Sequence, residues 1–329
     1  MKINYFFRHP KVGHSIQRVF RTLIDEINKS TEVSIFEVPS KSSMPWDILE
    51  NSVYVYKKRD KKAVHHVTGH IHDVLLALIG VKTVLTIHDL VFIDNSKNPI
   101  KRFYKWLFWL YLPIKIANKV VCISNQTKEN ILGRLKTDKL VVIYNAVDPS
   151  FTFSEKNFNK SSPVILHVGT GWNKNLEKTI KALADIPCHL RIVGKLKESQ
   201  LHLLQKYNLN YSNGLNLTDK EIKKEYENCD IVNFPSVYEG FGMPIIEGQQ
   251  TGRIVITSKI EPMLEVANEA AIFVVPDDEN SLRQAYLKAI QDDAFRDTII
   301  KKGYINAQRF SVTNISNQYL ELYKKLLQA

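Results

Sequence analysis

The sequence predicts an α/β protein of two doubly wound domains facing a ligand cleft, and three observations carry that expectation. Short β-rich runs alternate with helical periodicity along the whole chain. The runs are apolar nearly throughout, which marks strands of a parallel sheet covered on both faces. The alternation breaks once, at "VDPSFTFSEKNFNKSSP" (147–163), and then restarts. The length agrees, since 329 residues suit two domains of roughly 150 residues each.

In the first half, strands are expected at 2–7, 33–38, 63–68, 83–88, 119–124 and 140–145. Between the first two, Ile16, Val19, Phe20, Leu23, Ile24 and Ile27 recur every three to four residues, the period of an amphipathic helix. The Pro, Ser and Asn of 147–163 read as a linker between domains at 1–150 and 160–310. Further strands follow at 163–169, 189–194, 230–236, 253–258 and 271–276. A last helix over 311–329, with Ser311 as cap and Val312, Ile315, Tyr319, Leu322 and Leu326 on one face, is expected to pack back onto the first domain. Ligands in such sheets sit beyond the C-terminal ends of the strands, so the chemistry belongs there.

Composition narrows the function classes. No apolar run approaches the roughly 20 residues of a membrane span, and "WLFWLYLPIKIA" (106–117) is interrupted by Pro113 and Lys115. Cys122, Cys188 and Cys229 lie in apolar stretches without a CxxC pair, which points to buried thiols in a reducing compartment, the cytoplasm. Residues 1–155 hold 23 Lys+Arg against 14 Asp+Glu, and the remainder 22 against 20. A basic first half suits nucleic acid, an acidic lipid surface or a phosphorylated acceptor, and equally a face of solvated lysines. The run "KRFYKWLFWLYLPIKIANK" (101–119) reads either as a basic-aromatic helix lying on the inner face of a membrane or as core.

The sharpest chemistry lies in "PSVYEGFGMPIIEGQQTG" (235–252). A strand ends at Ser236 and a helix begins near Pro244. Between them Gly240 and Gly242 permit close backbone approach, and the helix start favours negative charge. Glu239 and Glu247 flank that turn, although carboxylates repel a bare phosphate. They accept hydrogen bonds from sugar hydroxyls. A nucleotide sugar, with a diphosphate between two polyols, satisfies both halves.

"EGFGMPIIE" resembles the E-x7-E signature of the retaining glycosyltransferases of the GT-B fold, the large "glycosyl transferases group 1" family. "NCDIVNFPSVYEGFGMPIIEGQQTGRIVITS" follows that family's pattern, and "HVGTGWNKNLEKTI" (167–180) resembles its donor-phosphate loop. The resemblance implies two Rossmann-like domains, Glu239 against the donor sugar and Glu247 against the ribose. It also implies donor contacts from the backbone of Gly240, Phe241, Gly242 and Met243. Lys174, with Gly169, Thr170 and Gly171, would neutralise the leaving diphosphate. Where the family usually adds an arginine, this chain has Thr170 and Asn173. "YSNGLN" (211–216), with Asn213, Gly214 and Leu215, sits where the family reads the nucleobase from a loop, beside Gly194 and Lys195. UDP and GDP donors both fit.

In the first domain the family often places a histidine at the strand end occupied by His88, which makes His88 a catalytic candidate beside Glu239 and Lys174. Asp89 would orient its loop, and Gly69 and His70 would shape the cleft floor. Gly13 would let the backbone approach a ligand, with His14 and Ser15 binding acceptor groups. The resemblance implies transfer of a hexose to a carbohydrate or lipid-linked acceptor in surface-polysaccharide synthesis, such as that of lipopolysaccharide. No cofactor and no essential metal are implied. The rival readings are a nucleotide-sugar epimerase or inverting transferase, a metal-dependent hydrolase built on "VHHVTGHIHDV" (64–74), and a nucleic-acid binder suggested by charge alone. The H-x-H-x-D-H spacing of such hydrolases is absent, because Asp73 follows His72 directly.

Overall fold

Tyr5 and Phe6 are neighbours in the first strand and both fully buried, which requires packing on each face of one sheet. The computed structural model describes residues 1–12, 14–42 and 44–328. It divides into two compact units, Met1–Ala146 with Val312–Ala329, and Val147–Ser311.

In the first unit β1 (Lys2–Phe7), β2 (Glu32–Glu37), β3 (Ala63–Val67), β4 (Thr83–Ile87), β5 (Lys119–Cys122) and β6 (Leu140–Val142) form a sheet in the order β2-β1-β3-β4-β5-β6. Every pairing is parallel. Phe6, Val67, Leu85 and Val120 pack with Val55, Leu75 and Leu110, from the helix Pro45–Lys57, the 3₁₀ segment His72–Leu78 and the segment 99–116. Tyr5, Val64 and Val84 face the other way, onto the helices His14–Ile27 and Val312–Gln328.

The last helix buries Ile315, Ser316, Tyr319, Tyr323 and Leu326, and Val312 and Leu322 pack half-buried against the same core. Its inner face is turned towards Tyr323 because that hydroxyl has buried partners, at 2.6 Å from His66 Nδ1 and 2.9 Å from Tyr5 Oη. The run 101–119 is helical without a break as far as Ile116, with π-helical turns in its middle. A helix Pro99–Lys105 leads into π-helical turns Trp106–Tyr111 and a short helix Leu112–Ile116. Pro113 has no N–H for the Trp109 carbonyl one turn back, and His72 Nδ1 donates to that oxygen instead at 2.7 Å. Leu110, Pro113 and Ile114 are buried and Trp106 and Ile116 pack partly against the core, while Ile100, Phe103 and Tyr104 stay exposed.

The second unit contains β7 (Val164–Val168), β8 (His189–Val193), β9 (Tyr211–Gly214), β10 (Ile231–Phe234), β11 (Ile254–Ser258) and β12 (Ile272–Val274), in the order β12-β11-β10-β7-β8-β9. All are parallel. The chain moves outward from β7 through β8 to β9, then returns to the other side of β7 as β10. The β7/β10 boundary is therefore the topological switch point, where the loops after the two strands part and leave a crevice. Residues 211–214, expected as loop, are the edge strand β9. "YSNG" has few β-formers, but its register beside Leu190–Val193 supplies the ladder that propensity does not. The linker is anchored too: buried Asp230 accepts from Lys156 Nζ at 2.7 Å and from the amides of Asn159 and Val164.

Tyr323→Phe should destabilise the protein by about 1–3 kcal/mol in urea denaturation, because it strips hydrogen bonds from two buried groups. An unchanged midpoint would remove Tyr323 as the anchor. Burial also pushes His66 and His72 down to about 3, and His70 and His88 to about 4. The unfolded chain takes up those protons near its ordinary value of about 6.5. Between about pH 6.5 and 4 the native state thus binds fewer protons, and stability falls with pH by about 1.4 kcal/mol per unit per histidine. Asp73, raised by burial to about 6, opposes one of them. Denaturation midpoints measured down this window should fall steeply; a flat profile would contradict neutral buried rings.

Candidate active site

The loop after β7 must turn sharply and let a long side chain fold over it. Gly169 has φ +94°, and a Cβ there would lie 3.0 Å from Lys174 Cγ. The 3₁₀ turn Trp172–Lys174 follows, and the next helix begins at Leu176. Asn175 sits between them in the left-handed region, which Asn tolerates better than most residues. Its Nδ2 donates to the carbonyls of Pro235 at 3.1 Å and Pro276 at 2.7 Å, tying three strand ends together.

Across the switch point the two loops are laced together. Val237 N donates to Asn173 O at 2.8 Å, and Asn173 Nδ2 donates to Tyr238 O and Glu239 Oε1, both at 3.0 Å. Lys174 Nζ meets the same Glu239 oxygen at 2.6 Å and lies 4.7 Å from the centre of the Phe234 ring. The two charged side chains are only 23% and 14% exposed, so the pair is more strongly coupled than a surface ion pair. Asn173, which stands at one of the positions expected for arginine, thus orients the carboxylate. Thr170, at the other, donates from Oγ1 to Lys195 O at 2.6 Å. Beneath the loop, His167 Nδ1 accepts from Asn233 Nδ2 at 2.9 Å, and burial, with Lys174 adding to it, pushes the ring down to about 3.

Glu247 lies on the helix Met243–Thr251, with Pro244 as its second residue and Gly242 at φ +113° before it. Its side chain is buried, and a buried carboxylate needs donors. Tyr226, on the helix Asp219–Asn228, donates its hydroxyl to Glu247 Oε2 at 2.5 Å. The Phe241 ring is core, edge-on to Phe310 at 5.7 Å, while Gly240 and Met243 are half-buried. On the nucleobase side, Gly194 N donates to Gly214 O at 2.9 Å. Asn213 Nδ2 is spent on the carbonyls of Ile192 and Gly194, and Leu215 is exposed. Gly169, Thr170, Gly171, Asn173, Lys174, Gly194, Lys195 and Glu239 are thereby brought to one end of one sheet.

In the first unit, Gly69 has φ +121°, and a Cβ there would fall 2.6 Å from His88 Cδ2. Glycine is what lets the two strand ends meet. His88 Nε2 donates to Thr68 O at 2.8 Å, which leaves the Nδ1 lone pair as the acceptor of a neutral ring. His70, at φ +57°, stacks beside it with centroids 6.1 Å apart. Asp89 Oδ1 accepts from Val91 N at 3.0 Å, and burial raises its carboxyl. Gly13 lies outside the described residues, as do the side chains of His14 and Ser15. His65 and His66 are bonded to Asp60 N, Lys82 O, Thr86 and Tyr323. Among the described residues no group of three or more His, Cys, Asp or Glu is placed to hold a metal ion.

Three residues of the second-unit site were not singled out from the sequence: Asn175, Phe234 and Tyr226. "NKN" carries a turn signal that points to Asn175. Phe234 and Tyr226 carry none, because their partners are some 60 and 20 residues away along the chain.

Comparisons with known proteins bear on this arrangement. The model of the family described as "Glycosyl transferases group 1" matches residues 150–305, and that of "Glycosyltransferase Family 4" matches residues 17–151. An uncharacterised glycosyltransferase of Methanocaldococcus jannaschii is 24% identical over 265 residues, 78% of this chain and 72% of that protein. The UDP-Gal:alpha-D-GlcNAc-diphosphoundecaprenol alpha-1,3-galactosyltransferase of Escherichia coli is 27% identical over 241 residues, 64% of this chain and 61% of that one. Among solved structures, Anabaena HepE in complex with UDP and glucose superposes with a TM-score of 0.81 at 16% identity, covering 99% of this chain and 100% of that chain. With the fold shared along its length and the two family models meeting at the boundary between the units, the chain belongs to the group 1 glycosyltransferases, enzymes of the GT-B fold.

Proposed function

We propose that the chain transfers a hexose from a nucleoside-diphosphate sugar to an acceptor hydroxyl, with retention of anomeric configuration. The observation that carries this reading is the Lys174–Glu239 pair at the β7/β10 switch point, a cation and a hydroxyl-binding carboxylate held 2.6 Å apart. The diphosphate draws on Lys174 and the backbone of Gly169 to Gly171, which stabilise charge as it develops on the leaving oxygen. Glu239, oriented by Asn173, accepts from hexose hydroxyls, and Glu247, held by Tyr226, accepts from the ribose. The backbone of Gly240 to Met243 lines the sugar and phosphate path. His88 accepts a substrate hydroxyl at Nδ1, with Gly69, His70 and Asp89 shaping that strand end. Gly194, Lys195 and the Asn213–Leu215 strand end flank the base.

The step is a displacement on one face of the sugar. The bond from the anomeric carbon to the phosphate oxygen breaks as the bond to the acceptor oxygen forms on the same side. The acceptor proton passes to the departing phosphate, so no protein nucleophile and no essential metal enter. The named activity of the Escherichia coli relative supports a lipid-linked acceptor in surface-polysaccharide synthesis. Among the described residues no helix is long and apolar enough to cross a membrane. The exposed Ile100, Phe103 and Tyr104, interleaved with Lys101 and Arg102, offer an edge for peripheral contact with the inner membrane face.

Lys174→Met and Glu239→Gln should each cut transfer by about 10²–10³-fold with unchanged circular dichroism. Near-normal turnover in both would remove the site. The proton NMR coupling of the product's anomeric hydrogen should match that of the donor, and the opposite configuration would defeat retention. Full activity in EDTA is expected.

A further inference from the structure

The helix Pro45–Lys57 is apolar on two opposite sides, which a helix needs only when both are covered. Val55 turns inward and is fully buried in the core of the first unit. Facing away from it, Trp46, Leu49, Val53 and Tyr56 follow one another at intervals of three, four and three residues, a single stripe on the helix surface. They are 80%, 53%, 45% and 60% exposed. The neighbouring His72–Leu78 segment exposes Leu76, and Ile79 just after it is exposed as well. Arg59 joins the two parts: its guanidinium lies 4.9 Å from the centre of the Tyr56 ring and donates to Ile79 O at 2.7 Å. A contiguous apolar surface of this kind, rimmed by charge, marks an interaction site.

The charge of the rim selects the occupant. Residues 44–62 hold five basic residues, Lys57, Lys58, Arg59, Lys61 and Lys62, against Asp47, Glu50 and Asp60. The helix Pro99–Lys105, which leads into the same core layer at Trp106, adds Lys101, Arg102 and Lys105, and Lys97 precedes it, with no acid between them. None of the eight lysines and arginines other than Arg59 forms an ion pair among the described residues. A second copy seated on the stripe would bring the same positive excess to the contact. An anionic bilayer supplies both what the stripe lacks, an apolar layer, and what the rim lacks, negative charge.

We infer that the outward stripe of Trp46, Leu49, Val53 and Tyr56 is the principal anchor that seats this protein on an anionic membrane surface, with the Lys57–Lys62 cluster among the headgroups. The inference rests on the proposed membrane contact of residues 100–104 for its partner, and moves the main anchor to a different helix. Neither depends on the donor chemistry. The stripe's side chains point away from the core, so replacing them leaves the packed face of Val55 intact.

Flotation of the full chain with vesicles of phosphatidylglycerol and phosphatidylcholine tests this. Wild type should float with the mixed vesicles and far less with phosphatidylcholine alone, and salt should weaken the binding. The triple variant Trp46→Ser/Leu49→Ser/Tyr56→Ser should lose vesicle affinity by about tenfold or more with unchanged circular dichroism. Wild-type flotation by the triple variant overturns the proposal. Loss of flotation confined to Phe103→Ser/Tyr104→Ser does the same, leaving the 100–104 contact standing. Failure of wild type to float removes both. A wild-type dimer in sedimentation equilibrium that the triple variant converts to monomer would assign the stripe to a second copy instead.

Discussion

The ion pair between Lys174 and Glu239 is the contact on which the second unit's site depends. It joins the loop after β7 to the loop after β10, the two strands whose crossover opens a crevice in a parallel sheet. Side chains this close cannot sit across a switch point unless both backbones are held. Asn173 and Asn175 do the holding, one through Tyr238 O and Glu239, the other through Pro235 O and Pro276 O. Because the pair is partly buried, water screens the attraction between its charges less than at an exposed surface. In the proposed reaction that coupling lets a diphosphate and a polyol enter together, since each relieves the partner that the other leaves unpaired.

The two units solve similar packing problems with different polar interiors. In the second, Asp230 and Arg253 sit buried near the linker, Asp230 accepting from Lys156 and two amides and Arg253 donating to the carbonyls of Ser154 and Tyr226. In the first, histidines take that role. His66 bonds Tyr323 and Thr86, His72 replaces the N–H that Pro113 cannot supply, and His88 donates to Thr68 O. Four buried neutral rings make this unit the acid-sensitive one. They also explain a histidine-rich stretch that looks like metal chemistry in one dimension: His65 and His66 have both ring nitrogens, and His72 its Nδ1, engaged with backbone or hydroxyl partners.

The outer surface of the first unit carries a different signal. Most of its apolar residues are buried, yet one helix shows large aromatic and aliphatic groups to solvent beside unpaired lysines. Exposing an indole and a phenol together costs solubility, so a surface that keeps them has a use for them. The membrane seating inferred for the first unit and the donor binding proposed for the second are chemically separate, and each stands on its own residues.

The fold class and the second-unit motif were legible in the sequence because both are local. Continuous apolar runs report burial on two faces whatever their partners, and "EGFGMPIIE" carries its glycines, proline and carboxylates within nine residues. The switch point was not legible, because strand order is a matter of which strands pair, and β9 joins its sheet by register rather than by propensity. Tyr226 beneath Glu247, Phe234 beneath Lys174 and Tyr323 beside His66 were decided by tertiary contact alone. Sequence spacing shows which residues share a helix face or a turn, and no spacing rule reaches from one element to another. Exposure obeys the same limit: Trp46 and Trp109 read alike as apolar aromatics, and only packing left the first in solvent and drew the second into the core layer.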